Sequence, residues 1–170
     1  MRVGGALLIV FSCGFIGLIV AKSYSDRVQN IKALLTFVQM LETEIGYSRT
    51  SLPEAFERIA RQLQGPVSVF LQTVSHRLEV EPDLAMQDAW LFGVYVLEEN
   101  GLPIAVLEDL ITFGDVLGVS DADDQKKHLN LLRVRLTQAS ETAEAEHRKN
   151  ARMWQYLGFC AGTLIALLLF

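Results

Sequence analysis

The chain has 170 residues, with 15 Lys and Arg against 20 Asp and Glu, and a net charge of −5. That balance argues against nucleic-acid binding, which needs clustered base against phosphate. Cys13 and Cys160 both fall in apolar terminal runs, so the polar part holds neither a disulfide framework nor a thiolate metal site.

The first run, Val3–Ala21, is nineteen uncharged apolar residues, and the last, Met153–Phe170, is eighteen. Each has the length a helix needs to cross a hydrocarbon core of about 30 Å. The sequence therefore predicts three parts: a transmembrane helix over 1–21, a helical domain over 22–152, and a transmembrane helix over 153–170. Only Arg2 of the bases lies outside the middle part, leaving it 14 bases against 20 acids. It is long enough for one modest core.

The first run exceeds the roughly 7–15 apolar residues of a signal-peptide core and is followed by positive charge, so it reads as an uncleaved anchor. Phe11 before Cys13, and the apolar run beyond it, exclude a lipoprotein site. Lys22, Arg27 and Lys32 flank the first run on the domain side, and Arg148, Lys149 and Arg152 flank the second. Base on that side of both runs predicts a cytoplasmic domain with both termini across the membrane.

Apolar spacing in the middle part is helical throughout, which predicts an all-α fold: a compact six-helix antiparallel bundle. Ile31, Leu34, Leu35, Val38, Leu41 and Ile45 form one stripe on a first helix of about twenty residues, closed by Gly46 and the polar residues after it. Ser51-Leu-Pro-Glu54 reads as a capping box. It opens a second helix with Leu52, Phe56, Ile59 and Leu63, which Gly65-Pro66 ends. Val67, Phe70, Leu71, Val74 and Leu78 mark a third, broken by Glu81-Pro82-Asp83. Met86, Trp90, Gly93, Val94 and Leu97 mark a fourth, stopped by Asn100-Gly101. A fifth runs from Leu102 to Leu117.

Ser120 caps the sixth, with Asp121, Asp123 and Asp124 in its first turn. No proline or glycine interrupts it before Gly158, so one helix is expected from Asp121 through Phe170. At that length it spans about 75 Å and reads as a stalk. Leu129, Leu132, Leu136, Ala139 and Ala143 are its core seam.

Catalytic chemistry finds little support. His76, His128 and His147 follow no metal-ligand spacing, and there is no Gly-rich phosphate loop. No cofactor is expected. His128, beside Lys126 and Lys127, reads as a solvated side chain. Glu42 falls between Val38 and Ile45 on the apolar face, where a carboxylate needs a partner. Arg58, Arg61 or a helix N-terminus is the expected partner, and a contact for another subunit is the sharper reading. Glu44 is expected to stand exposed. From Arg77 to Lys126 the chain holds twelve acids and no base. Many of them are solvated faces and helix starts, but a one-sign field also steers partners. Asp88, Glu98 and Glu108 are the candidate docking acids for a basic protein. Gly158 and Gly162 form a G-x-x-x-G that permits close helix packing in the membrane.

Leu41-Glu42-Thr43-Glu44-Ile45-Gly46-Tyr47 followed by Leu52-Pro53-Glu54-Ala55 resembles the signature of the stage III sporulation protein AB family of endospore-forming bacteria. Leu117-Gly118-Val119-Ser120-Asp121 with Gln125 resembles its second signature. That family is similar in turn to the cytoplasmic helical domain of the type II secretion inner-membrane platform protein, called F. The resemblance implies a membrane platform or adaptor subunit in the complex joining mother cell and forespore. It also implies partnership with the secretion-type ATPase of the same operon and with other membrane proteins of the complex. Glu42, Glu44, Ser120, Asp121 and Gln125 are then candidates for fold support or docking. The chain departs from the platform protein in having one helical domain and two membrane runs, so a function needing two domains requires self-association. The alternative from another class is a membrane-tethered sensor dimer using the long last helix, against which stands the lack of sustained heptads.

Overall fold

The computed structural model describes residues 2–47, 51–117 and 122–169, although most side chains of the two apolar runs lie outside the description. Six α-helices follow in order: α1 Arg2–Tyr47, α2 Leu52–Ala60, α3 Pro66–Val80, α4 Met86–Glu99, α5 Ile104–Gly114 and α6 Ala122–Leu169. No strand occurs among the described residues, so the fold is an all-α bundle.

Helix boundaries follow local chemistry. Proline is absent before Pro53 and after Pro103, so nothing breaks either terminal helix. The apolar run 3–21 and the expected first domain helix are in fact one element of 46 residues. The sixth helix is likewise continuous over 48 residues. The expected capping box is not made: Ser51 is the N-cap of α2 but its side chain accepts no capping bond. Pro53 in the first turn removes one of the two backbone donors a capping hydroxyl uses. Helix α2 ends at Ala60 rather than at Gly65-Pro66, and Pro66 instead opens α3 behind Gly65, whose φ of +72° suits glycine. Helix α5 starts two residues later than expected, with Pro103 as its N-cap, because a residue preceding proline is pushed out of helical backbone.

The stop after α4 matches its residues closely. Gly101 has φ +75° and donates its N–H to Glu98 O at 2.9 Å, while Leu102 donates to Leu97 O at 3.3 Å. This is the paired Schellman arrangement, and it buries Leu97 and Leu102 together.

The chain divides into two compact units, 29–140 and the combination of 1–28 with 141–170. In the first unit α2 packs on α3, α3 on α4, and α4 on α5. Trp90 of α4 sits fully buried at the centre. Phe70 of α3 meets it edge-on at 4.8 Å between ring centroids, with Phe113 of α5 at 5.7 Å, Phe56 of α2 at 5.8 Å and Phe37 of α1 at 6.1 Å. Tilted and edge-on pairs at these separations use the ring quadrupoles well. Leu129, Leu132 and Leu136 of α6 complete the same core.

The indole Nε1 donates to Leu110 O at 2.8 Å, so its only polar atom is satisfied. Two glycines admit the rings. A Cβ at Gly93 would lie 2.6 Å from Phe70 Cδ2, and one at Gly114 would overlap the indole at Cδ1 and Nε1. Buried Ser68 and Ser75 donate to Ala60 O at 2.7 Å and Pro53 O at 3.1 Å, tying α3 to both ends of α2.

In the second unit, Ala21, Val28 and Ala143 are buried. Arg27 Nη1 pairs with Glu146 Oε2 at 3.6 Å. Among the described residues no helix is long and apolar enough to cross a membrane. The described large side chains of the terminal runs, Phe15, Leu18, Ile19, Met153, Tyr156 and Leu157, are exposed.

Gly114→Ala is expected to destabilise the bundle by ~1–3 kcal/mol through overpacking, and Trp90→Ala by ~3–5 kcal/mol. Urea unfolding of the full chain in detergent, followed by circular dichroism, measures both. In a Trp90→Ala background, which removes the overlapped ring atoms, Gly114→Ala should cost clearly less. Equal costs in the two backgrounds would show that the overlap is not the cause.

Candidate functional site

The residues singled out in sequence fall into three groups. Glu42 and Glu44 lie in the last two turns of α1. Glu42 is 41% exposed at its side chain, and its Oε2 lies 3.8 Å from Arg133 Nη1 of α6. Arg133 also donates to Asn130 Oδ1 at 2.8 Å. Neither expected arginine partners Glu42. Arg58 of α2 bonds Glu44 instead, and Arg61 bonds Glu57 within α2. Glu44, expected to stand exposed, is the more covered of the two acids. A helical wheel gives the face of each acid but not which helix crosses it. Here α2, next in sequence, takes Glu44, and α6, last in sequence, takes Glu42.

The second group is the acidic stretch. Four of its acids are engaged inside the fold. Arg77 bonds Glu81 at 2.8 Å. Arg135 bonds Asp109, joining α6 to α5. Gln87 bonds Asp115. Asp124 lies 3.8 Å from His128 Nε2 and 4.0 Å from Lys127 Nζ. The candidates Asp88, Glu98 and Glu108 are exposed, as are Glu79, Asp83 and Glu99. No ion pair among the described residues engages these six.

Gln125, part of the second signature, is buried in the first turn of α6. Ser120 and Asp121 lie outside the described residues, as do the surroundings of Gly158 and Gly162.

Sequence reading missed three features. Phe37 sits outside the expected α1 stripe yet is fully buried beside Trp90. Arg133 and Arg135 are the α6 ends of two interhelical pairs. Phe92 and Tyr95 stand on the outer side of α4, with Arg77 Cζ 4.3 Å above the Phe92 ring centroid. The period of α4 was available as a signal: positions 88, 92 and 95 share a face opposite that of Trp90 and Leu97.

Titratable groups do not converge on a cleft. His128 lines a small hollow between α5 and α6 with Asp109, Leu131, Leu132 and Arg135. Among the described residues no three His, Cys, Asp or Glu side chains stand together as a metal-binding group. What the fold offers is an all-α helical bundle with charged and apolar side chains turned outward.

Comparison with known proteins places it further. The family model described as stage III sporulation protein AB matches residues 2–170. A relative named stage III sporulation protein AB, from Bacillus subtilis (strain 168), is 36% identical over 170 residues, covering 99% of each chain. A solved structure of stage III sporulation protein AB superposes with a TM-score of 0.67 at 32% identity, covering 72% of this chain and 96% of that one. The chain belongs to the stage III sporulation protein AB family and is thus a sporulation protein.

The Glu42–Arg133 and Glu44–Arg58 pairs are partly exposed, and such pairs contribute about 0–1 kcal/mol. Double-mutant cycles with Glu42→Gln and Arg133→Gln, and with Glu44→Gln and Arg58→Gln, are expected to give coupling within that range. A coupling of several kcal/mol would make these pairs determinants of the fold.

Proposed function

We propose that the chain is a non-enzymatic, membrane-anchored platform subunit of the sporulation complex that connects mother cell and forespore. In this reading its bundle lies in the mother-cell cytoplasm and couples a secretion-type ATPase to membrane components. The observation that carries the proposal is the composition of the two terminal helices. Helix α6 contains both the core residues Leu129, Leu132 and Leu136 and the uncharged run from Met153. Helix α1 contains both the run 3–21 and the core residues Leu34, Phe37 and Val38. Each core-forming end helix therefore carries an uncharged run, which this reading places in the bilayer.

The described side chains of these runs support the same reading. Phe15, Leu18, Ile19, Met153, Tyr156 and Leu157 are large, apolar and exposed, which in water leaves their transfer free energy unrealised. Lipid supplies the missing environment. Base beside both runs on the bundle side sets the orientation. The sequence has no Gly-rich phosphate loop, and in this reading a separate motor supplies the energy.

Tagged full chain recovered from sporulating cells in mild detergent is expected to bring a secretion-type ATPase with it. Replacing Asp88, Glu98 and Glu108 together by Lys should lower that recovery several-fold and flatten its dependence on salt. Recovery of the chain alone, as a dimer that responds to a small ligand, would overturn the platform reading in favour of a sensor. Unchanged recovery and salt dependence in the triple variant would remove the acids from the contact.

A further inference from the structure

We propose that the outward face of α4 seats a basic amphipathic helix of a partner protein. This names the chemistry of a partner for the platform reading and rests on that reading. Leu84, Asp88, Leu91, Phe92 and Tyr95 line one shallow hollow on the surface. Asp88, Leu91, Phe92 and Tyr95 advance by three, one and three residues, the spacing of a single face of α4, and Leu84 lies just before the helix. Phe92 is 42% exposed and Tyr95 is 59% exposed, while Trp90 on the opposite face is fully buried. The aromatic content of α4 thus points both ways: one ring holds the core, and two are left to solvent. Aromatic side chains in such a setting are typical anchors of an interface.

Charge around the hollow selects the occupant. Asp88 is part of its lining. Exposed Glu98 and Glu99 end the helix, and exposed Glu79, Glu81 and Asp83 lead into it. No Lys, Arg or His occurs from residue 78 to residue 125. The nearby base is Arg77, which is held between Glu81, at 2.8 Å, and the Phe92 ring. An occupant must therefore be apolar where it meets Phe92 and Tyr95 and cationic on its flanks.

A second copy of this chain would bring the same acids against themselves. An anionic lipid surface would be repelled for the same reason. Nor does the face offer a sheet edge to which an extended peptide could add. From Asp88 to Tyr95 the strip runs along α4 for about two helical turns, roughly 10 Å. A helix laid along it can pack ridge into groove at the usual 8–10 Å or so between axes.

A photocrosslinking phenylalanine analogue at position 95 of the full chain, in sporulating cells, tests this. The same analogue at position 104, also exposed, serves as control. Crosslinked peptides identified by mass spectrometry are expected to lie in a segment of another protein with Lys or Arg flanking an apolar helical stripe. Yield at position 95 should exceed that at 104 and fall at least tenfold with Asp88→Lys and Glu98→Lys in the same chain. Crosslinks to a second copy, to lipid or to a segment without base, or no excess over position 104, would overturn the proposal.

Phe92→Ser with Tyr95→Ser provides the second measurement, since both side chains are surface-exposed and circular dichroism can check that the fold is kept. Loss of the ATPase from the recovered complex would support the strip as the contact. Undiminished recovery would sink the strip and leave the platform reading intact. Crosslinking to a basic helix of a protein that is not a motor, with no ATPase recovered by the unaltered chain, would do the reverse.

Discussion

Trp90 is the point on which the bundle closes. Phe37, Phe56, Phe70 and Phe113, from four other helices, meet its ring within 6.1 Å between centroids. Its single polar atom is satisfied by a carbonyl of α5. A large ring can occupy that position only because Gly93 and Gly114 carry no side chain where Phe70 and the indole lie. Close packing of this kind makes five helices interdependent, since moving any one of them opens a gap or forces an overlap at the shared ring. The short connections and their turn residues bring the helices near one another. The ring cluster decides how they meet.

With the interior closed in this way, the surface is free to carry interaction chemistry. The ion pairs between helices of the bundle lie at its edge: Glu44 with Arg58, Glu42 with Arg133, and Asp109 with Arg135. Exposed pairs of this kind contribute little to stability. The exposed acids Asp88, Glu98, Glu99 and Glu108 lie on α4 and α5, in a stretch free of base, and they accompany two exposed aromatics on α4. The exposed aromatics and acids of α4 leave one helix face turned to solvent, and the family membership makes the chain a sporulation protein.

Much of the architecture was legible along the chain. The 3.6-residue period of Ile31 through Leu41, Val67 through Val74, and Leu129 through Leu136 marks buried faces that the structure contains. Asn100-Gly101 marks a helix stop with the expected backbone. The capping box at Ser51 misled because the pattern of residue types is present while the Ser51 side chain makes no capping bond in the folded chain. The fifth helix was drawn too long because apolar spacing continues through Leu102 while the backbone before Pro103 does not. Phe37 escaped notice because it falls beside the main stripe. A side chain so placed reaches the core only when another helix, here α4, brings a ring to meet it.

Composition, period and breakers settled the all-helical class and the uncharged ends, because each depends on residues near one another in the chain. The residues of the two family motifs likewise sufficed to suggest the family. Pairings across long separations depended on the folded chain. Glu42 finds Arg133 rather than Arg58 because α6, although last in order, lies against the end of α1. The separation of Trp90 inside from Phe92 and Tyr95 outside follows from the orientation that the ring cluster imposes on α4. Helical period groups side chains into faces, and only packing against other helices decides which face is left to water.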